Sequence, residues 1–232
     1  MRFQDAARDA RAATYAAIQA DPVVAEAAGL LVSASAAQRL LARAVMNGET
    51  LDPDGWRTMF PTLFGPTVEP EDRVRSEAIL AASLAIADRG DQTRSQLRGA
   101  LVESLTAELL ARRAGAAAVR RERRVLFDGV RAEIHPYDVT VERPGAAEAY
   151  DCKWGARGID PDVLHQLDDA RANAEAEGER LQVALVVFDA ERSCRVRLGR
   201  QTAPYGRTRL FTLESLGALG ACGGNHPPAV AG

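Results

Sequence analysis

The sequence predicts a mixed fold of the α+β or α/β class, in which a mostly helical N-terminal region precedes a sheet-containing domain. Three patterns support this prediction. Ala-rich amphipathic stretches recur in the N-terminal region, Asp128-Gly129 between two apolar runs is typical of a type I′ hairpin turn, and Leu181–Phe188 has the continuous apolar character of a strand buried on both faces. We therefore expect a helical region for target or partner selection at 1–94, the sheet domain at 95–221 and a flexible tail at 222–232.

The N-terminal region is expected to contain helices over Ala6–Ala20, Val23–Val45 and Ser76–Arg89. Between the second and third of these helices, a proline-rich segment carries a cluster of apolar residues from Trp56 to Phe64. Such a segment is too apolar for a free linker. We expect it to pack on the helices, and the alternative is that it docks a partner protein or a second copy of the chain.

The sheet domain is expected to begin with a long helix, Gln96–Ala114, followed by Gly115 in the position where glycine commonly ends a helix. Short turns separate the next strands, so we expect an antiparallel meander. The expected strands are Arg124–Phe127, Val130–Ile134, Tyr137–Glu142 and Glu148–Trp154.

A second helix of the domain is expected to start at Asp160 and Pro161, which suit the N-cap and the first helical position, and to reach about Glu177. It leads into the buried strand Leu181–Phe188. The remaining expected elements are strands at Arg195–Leu198 and Thr208–Thr212 and a short helix at Leu213–Leu219.

The overall charge does not indicate a basic nucleic-acid-binding protein, because the net charge is −3 and the pI is about 5.7. Arginines are nevertheless concentrated just before the hairpin, and Arg120, Arg121, Arg123 and Arg124 are candidate contacts to phosphate groups. A solvated surface explains the same residues equally well. Widely spaced cysteines indicate a reducing, cytoplasmic setting, and no run resembles a signal peptide or a membrane span.

Lys153 is the only lysine in a chain with a Lys+Arg total of 29. An ammonium is a compact charge whose pKa can shift, whereas a guanidinium is planar and permanently charged, so the exception suggests a position where the two are not interchangeable. Alternate residues of a strand point to one face, which puts Asp151 beside Lys153. Asp138 on the preceding strand lies among valines, where an acid is costly unless it is paired or bound to metal.

Two carboxylates near one point form a hard-oxygen site of the kind that Mg²⁺ binds. A divalent ion there can polarise a phosphate and lower the pKa of a water molecule, and Lys153 can orient that water and stabilise the developing charge. No rival nucleophile is indicated, since Ser193 and Cys194 have no base nearby in the sequence. These residues therefore predict phosphodiester hydrolysis, with Asp138 and Asp151 as metal ligands.

The elements from Gln96 to Phe188 resemble the PD-(D/E)XK superfamily, the restriction-endonuclease-like nucleases that include Mrr-type enzymes and Holliday-junction resolvases. Asp151-Cys152-Lys153 matches the acid-x-Lys part of the motif, and Pro136-Tyr137-Asp138 stands, with one extra residue, where the family has Pro-Asp. Gly99–Glu103 is similar to the family's Gly-x-x-x-Glu. The resemblance implies a restriction-endonuclease-like αβββαβ core that requires Mg²⁺ or Mn²⁺.

The same resemblance favours Glu103 over Glu108 as a third metal-binding acid and implies that Gln166 positions the phosphate. The expected function is a Mg²⁺-dependent endonuclease in restriction or antiviral defence, an expectation that rests on analogy. Its expected catalytic residues are Glu103, Asp138, Asp151, Lys153 and Gln166. DNA is the expected substrate, although these residues do not distinguish it from RNA. The alternative is a non-catalytic nucleic-acid-binding or scaffold subunit, in which Lys153 only pairs with an acid.

Overall fold

The computed structural model describes residues 1–6, 10–131, 135–203 and 205–221. Internal packing divides the chain into two compact units, which we call the helical unit, Ala10–Leu105, and the sheet unit, Met1–Asp9 with Thr106–Gly232. The predicted boundary between residues 94 and 95 falls inside a continuous helix, Asp91–Ala114, which contributes to both units.

The helical unit is built from helices joined by short connections. Its helices are α1 (Ala10–Gln19), α2 (Pro22–Val32), α3 (Ala36–Asn47), α4 (Pro53–Met59), α5 (Pro61–Phe64), α6 (Pro70–Ala87) and the first part of α7 (Asp91–Ala114). Because α2 and α3 both pack on α6, their apolar faces form the centre of this unit. The predicted burial of Trp56 is confirmed, whereas Met59 in the same apolar segment is 55% exposed.

The single helix predicted over Val23–Val45 is wrong, because the chain breaks between α2 and α3. Ser35 and Gln38 form a reciprocal capping box, in which the Gln38 amide donates to Ser35 Oγ at 3.2 Å and the Ser35 amide donates to Gln38 Oε1 at 2.9 Å. The buried Arg39 guanidinium donates to the Leu31 carbonyl at the end of α2. The break therefore has its backbone groups satisfied locally.

The sheet unit contains a mixed sheet, which confirms the predicted α+β class. Its strands are β1 (Arg2–Asp5), β2 (Val119–Phe127), β3 (Val130–Arg131), β4 (Tyr137–Arg143), β5 (Ala146–Lys153), β6 (Leu181–Val187) and β7 (Arg209–Phe211). The strand order is β1-β2-β4-β5-β6-β7, with β3 paired to β2. The predicted meander order is therefore wrong, because the long strand β2 pairs with both β3 and β4. The pairs from β1 to β5 are antiparallel, and β6 is parallel to both β5 and β7.

The start of the sheet unit corrects one expectation, because Arg2–Asp5 is a strand rather than the beginning of the helical region. The predicted hairpin turn is confirmed, since Asp128 and Gly129 have φ of 48° and 79°, as a type I′ turn requires. Arg131 is the last described residue of the strand that was expected to reach Ile134, so the remainder lies outside the described residues. The predicted tail over 222–232 lies outside them as well.

Two helices complete the sheet unit. The first, α8 (Pro161–Ala176), is capped as predicted, because Asp160 Oδ1 accepts a hydrogen bond from the Val163 amide at 3.0 Å. The second, α9 (Glu191–Leu198), replaces the strand predicted at Arg195–Leu198, which is wrong. It buries Cys194 and Leu198, which are four residues apart and therefore share one helical face.

The strand β6 lies between two parallel neighbours and is buried along its length apart from Gln182, as predicted. The predicted strand at Thr208–Thr212 is present as β7, and the short helix expected at Leu213–Leu219 is a 3₁₀ helix, Leu216–Gly220. In the part of the chain that the structure describes, no helix combines the length and the apolar character that crossing a membrane needs.

The end of α7 is joined to β5 by a buried polar network. Arg113 pairs with Glu148 at 2.5 Å, and the Tyr150 hydroxyl donates to the same carboxylate. Burial alone would raise the pKa of Glu148, but the hydrogen bonds from Arg113 and Tyr150 outweigh it and hold that pKa below its ordinary value. The network fixes the face of β5 opposite to that of Asp151.

Candidate functional site

The predicted acids of β4 and β5 lie near the same end of these two antiparallel strands. Their pairing begins at Val139, opposite Tyr150, so that Asp138 comes just before the first paired residue of β4 and Asp151 just after the last paired residue of β5. A positive charge beside such carboxylates stabilises their ionised forms.

Lys153 supplies this charge through an ion pair between its Nζ atom and Asp151 Oδ1. The side chain of Asp151 is only 6% exposed and that of Lys153 is 26% exposed. Burial would lower the pKa of Lys153, but attraction by Asp151 and by Asp138 outweighs it and raises that pKa above its usual range. The ammonium therefore keeps its proton at neutral pH, which suits charge stabilisation rather than proton abstraction.

Asp138 is half-buried and holds the two strand ends together. Its Oδ2 atom accepts a hydrogen bond from the Cys152 backbone amide at 2.5 Å, between the two residues of the acid-x-Lys motif. This bond holds the Asp138 carboxylate beside the backbone of β5, next to the Asp151–Lys153 ion pair. The side-by-side position of Asp151 and Lys153, predicted from strand geometry, is confirmed.

Glu122 is a further acid at this place, and sequence reasoning did not select it. It lies on β2 between Arg121 and Arg123, whose partners on β4 are Val139 and Tyr137, so it faces Asp138 across the strands. A carboxylate oxygen of Glu122 lies within 4.8 Å of one of Asp138. Because two oxygens bound to one Mg²⁺ at about 2.1 Å are at most about 4.2 Å apart, a small adjustment lets both carboxylates hold one ion.

The backbone of Glu122 is also unusual, since its φ of 52° lies in the left-handed region that non-glycine residues seldom adopt. Its neighbours Arg121 and Arg123 pair with β4, and its own carbonyl accepts a hydrogen bond from the Ala6 amide at 3.0 Å. In the sequence Glu122 looks like one acid in a run of arginines. Only the strand register identifies it, so no pattern available in the sequence could have found it.

The loop after β5 packs against the aliphatic stem of Lys153. A Cβ atom at Gly158, in the 3₁₀ turn Ala156–Gly158, would lie 3.1 to 3.2 Å from the Cβ, Cγ and Cδ atoms of Lys153, so the lysine stem would have to shift by a few tenths of an ångström. Asp189 Oδ2 accepts a hydrogen bond from the Ala156 amide at 2.9 Å, which anchors the same turn. Asp189 therefore anchors the turn whose Gly158 packs against the Lys153 stem.

Gln166 is buried on α8, and both polar atoms of its side chain bind the backbone of His135. Its Oε1 accepts from the His135 amide at 3.0 Å, and its Nε2 donates to the His135 carbonyl at 3.1 Å. These bonds fix the segment that leads into β4 and Asp138. Its predicted role in positioning a phosphate stays a prediction.

The two candidate helix acids have different surroundings. Glu103 is buried within the helical unit, where it accepts hydrogen bonds from the Tyr15 hydroxyl and from Gln19 Nε2, the latter at 2.7 Å. Glu108 belongs to the sheet unit, and burial raises its pKa while Arg121 and Arg112 lower it in part. The assignment of Glu103 as a metal ligand stays a prediction.

The predicted phosphate-binding arginines of β2 are not equivalent. Arg123 is held by Glu142 at 2.7 Å and by Asp5, so its charge is largely neutralised. Arg120 is exposed. The positive charge of Arg121 attracts the Glu108 carboxylate and lowers its pKa in part. Arg124 is half-buried. The nucleic-acid role predicted for these four residues stays a prediction.

The geometry thus defines a cluster of acids around one ammonium, at the ends of neighbouring strands. Comparison of the chain with protein-family models, with curated proteins and with solved structures finds no match. The functional interpretation therefore rests on the residues themselves.

Proposed function

We propose that the chain is a metal-dependent phosphodiesterase that cleaves nucleic acid, with DNA as its expected substrate. The observation that carries the proposal is that the charges of Asp138 and Asp151 both act on Lys153, the only lysine of the chain, which forms an ion pair with Asp151. A buried and a half-buried acid beside a cation, at the ends of adjacent strands, suit a divalent ion and a phosphate. The element order α7-β2-β3-β4-β5-α8-β6 is also similar to the expected αβββαβ order, with the two-residue strand β3 as an addition.

A divalent ion such as Mg²⁺ or Mn²⁺, held by Asp138 with Asp151 or Glu122, would supply Lewis acidity toward the phosphate and toward water. Glu103 remains the predicted third acid. The donor set fits such an ion, because it consists of carboxylate oxygens, two of which lie within 4.8 Å.

The side chains of the chain have separate roles in this proposal. The Lys153 ammonium carries a positive charge to the point where negative charge develops on the phosphorus oxygens. Asp151 fixes that ammonium by its ion pair, and Asp138 is fixed by the Cys152 amide. Gly158 restricts the stem of Lys153. A restricted geometry of this kind lowers the cost of orienting the reacting groups.

The second candidate is a non-catalytic nucleic-acid-binding or scaffold subunit. It is favoured by the fact that Asp151 pairs with Lys153 and Asp138 accepts from Cys152, so each acid has a partner of its own. In that account the lysine is structural. A restriction or defence setting, and a partner or second copy bound through the helical unit, are further parts of the proposal that rest on analogy.

The test is cleavage of supercoiled plasmid and of single-stranded DNA by the parent protein, by Lys153→Ala and by Lys153→Arg. We expect Mg²⁺-dependent cleavage by the parent and a loss of about 10²-fold or more in Lys153→Ala. The arginine variant keeps the charge but not the compact ammonium, so partial activity is expected. Undiminished cleavage by Lys153→Ala would reject the mechanism, and no cleavage by the parent would favour the binding subunit.

A further inference from the structure

A basic cavity of about 370 Å³ lies between α9 and the 3₁₀ turn that follows Lys153. Its lining includes Arg157 from the turn and Arg192, Arg197 and Arg200 from α9 and the residues after it, and no acidic residue of the described chain lines it. We propose that this arginine cavity binds phosphate groups of a nucleic-acid backbone that flank the candidate reacting site. The inference rests on the proposed function for the identity of its ligand.

The charges of the cavity are not offset within the described part of the chain. Arg157, Arg192 and Arg200 are exposed, and none of them forms an ion pair with a described acid. The neighbouring Arg195 is not part of the lining and differs from these arginines, because it pairs with Glu191 one turn away. Like charges around one concave surface repel, and a bound anion removes this repulsion.

The turn that lines the cavity follows Lys153 closely in the chain, and it also contacts the lysine side chain. Arg157 is next to Gly158, which packs against the stem of Lys153. Arg197 lines the cavity and donates from Nε to the Ile159 carbonyl at 2.9 Å, so α9 is fixed to the same loop. A polyanion with one phosphate at Lys153 would therefore present its neighbouring phosphates to the cavity.

The chemistry of the lining favours phosphate over other anions. The guanidinium groups are planar forks that bind two phosphate oxygens at once, and Ser193 adds a hydroxyl donor. No aromatic side chain lines the cavity in the described residues, so base stacking is not expected. The cavity would therefore bind the backbone without reading its sequence.

The experiment measures binding of a fluorescently labelled short duplex and of a labelled single strand by anisotropy, in EDTA so that nothing is cleaved. The test variant is the triple substitution Arg157→Ser, Arg192→Ser and Arg200→Ser. Each lost phosphate contact lowers the slope of log K against log salt by about 0.9. We therefore expect a slope about 2 to 3 units smaller and binding weaker by about tenfold or more at moderate salt.

Arg180→Ser is the matched control for the single variant Arg192→Ser. Arg180 is exposed and precedes β6, whereas α9 follows the opposite end of that strand. The inference predicts that Arg192→Ser weakens binding and that Arg180→Ser does not. Circular dichroism should show unchanged folding, because the substituted residues are exposed.

The inference is overturned if the triple variant binds like the parent, if Arg180→Ser weakens binding as much as Arg192→Ser, or if the parent binds neither probe. It is also overturned if polyglutamate competes as well as nucleic acid at equal ionic strength, because the ligand would then be an acidic peptide. The proposed function fails separately. A parent that binds through these arginines but never cleaves refutes catalysis alone, and Lys153-dependent cleavage with unchanged binding by the triple variant refutes the cavity alone.

Discussion

The ion pair between Lys153 and Asp151 gives the sharpest stability prediction. In Lys153→Met the Asp151 carboxylate, whose side chain is 6% exposed, loses its cation. Removing one partner of a buried ion pair costs about 3 to 5 kcal/mol. Because the Lys153 side chain is 26% exposed, water reduces the cost, and we expect about 3 kcal/mol at neutral pH.

The double variant Asp151→Leu with Lys153→Met separates pairing from packing. Replacing a whole buried pair by apolar residues is often neutral or stabilising by about 1 to 4 kcal/mol, so the double variant should be clearly more stable than Lys153→Met. The difference gives the coupling energy of the pair in a double-mutant cycle. A second signature is the pH dependence of Lys153→Met.

The sign of this pH dependence follows from the burial of Asp151, which raises its folded-state pKa above the ordinary value of 3.8. With a raised folded-state pKa, the contribution of the Asp151 carboxyl to the free energy of unfolding is fully present below its ordinary pKa of 3.8. That contribution is lost as the pH rises through the folded-state pKa, because the buried carboxyl must then ionise. Without Lys153 the pKa rises further, so the loss in Lys153→Met should grow from acid toward neutral pH.

The assay is urea unfolding followed by the fluorescence of Trp154, which stacks on Phe188 in the sheet unit. The chain has two tryptophans, and the other, Trp56, lies in the helical unit, so a Trp56→Phe background reports the sheet unit alone. A cost below about 0.5 kcal/mol for Lys153→Met, as for a surface pair, would refute the description of a buried pair.

Four further predictions concern neighbouring residues. Glu122→Gly should stabilise the sheet unit by about 1 kcal/mol in urea unfolding, because glycine adopts the left-handed backbone freely, whereas Glu122→Ala keeps the strain. Gly158→Ala should slow cleavage by roughly tenfold with little change in unfolding, because its Cβ displaces the Lys153 stem; unchanged rates would contradict the positioning role. Gln166→Ala should cost about 1 to 2 kcal/mol in unfolding, since two hydrogen bonds to a backbone are lost. Glu148 has a lowered pKa, so its stability contribution is present above about 4.5 and is lost as the pH falls through the folded-state value; in unfolding titrations, Glu148→Gln should show a weaker loss of stability below about pH 4.5 than the parent.

Much of the fold could be predicted because its signals are local. The hairpin turn at Asp128-Gly129 and the cap at Asp160 are set by residues adjacent in the chain, and the buried strand Leu181–Val187 is marked by its own apolar composition. The period of two along β5 similarly predicts that Asp151 and Lys153 lie side by side, as their ion pair confirms.

The errors arose where a local pattern had two explanations. Arg195-Val196-Arg197-Leu198 alternates polar and apolar residues as a strand does, but Val196 is 52% exposed, and the buried residues are Cys194 and Leu198 at helical spacing. The Ala-rich amphipathic pattern of Val23–Val45 likewise continues through Ser35, where a capping box starts a new helix. In each case packing or a cap decided between two structures that the pattern allowed.

Parts of the candidate site depend on contacts that no sequence pattern contains. Glu122 faces Asp138 only through the register of β2 and β4, and Gly158 meets the Lys153 stem only because the turn folds back under β5. Gln166 was selected by resemblance, and its partner, the backbone of His135, is 31 residues away in the chain. Such long-range contacts become visible only in the folded chain.

The most direct test of the central claim is the conversion of supercoiled plasmid by the parent protein in Mg²⁺ and in EDTA, beside Asp151→Asn in Mg²⁺. The amide of this variant is similar in shape to the carboxylate but is uncharged, so it forms no ion pair with Lys153 and binds a metal ion more weakly. We predict nicked or linear product only from the parent in Mg²⁺ and a loss of about 10²-fold or more in Asp151→Asn. Equal conversion in EDTA, or equal rates for Asp151→Asn and the parent, would contradict a metal-dependent phosphodiesterase at this site.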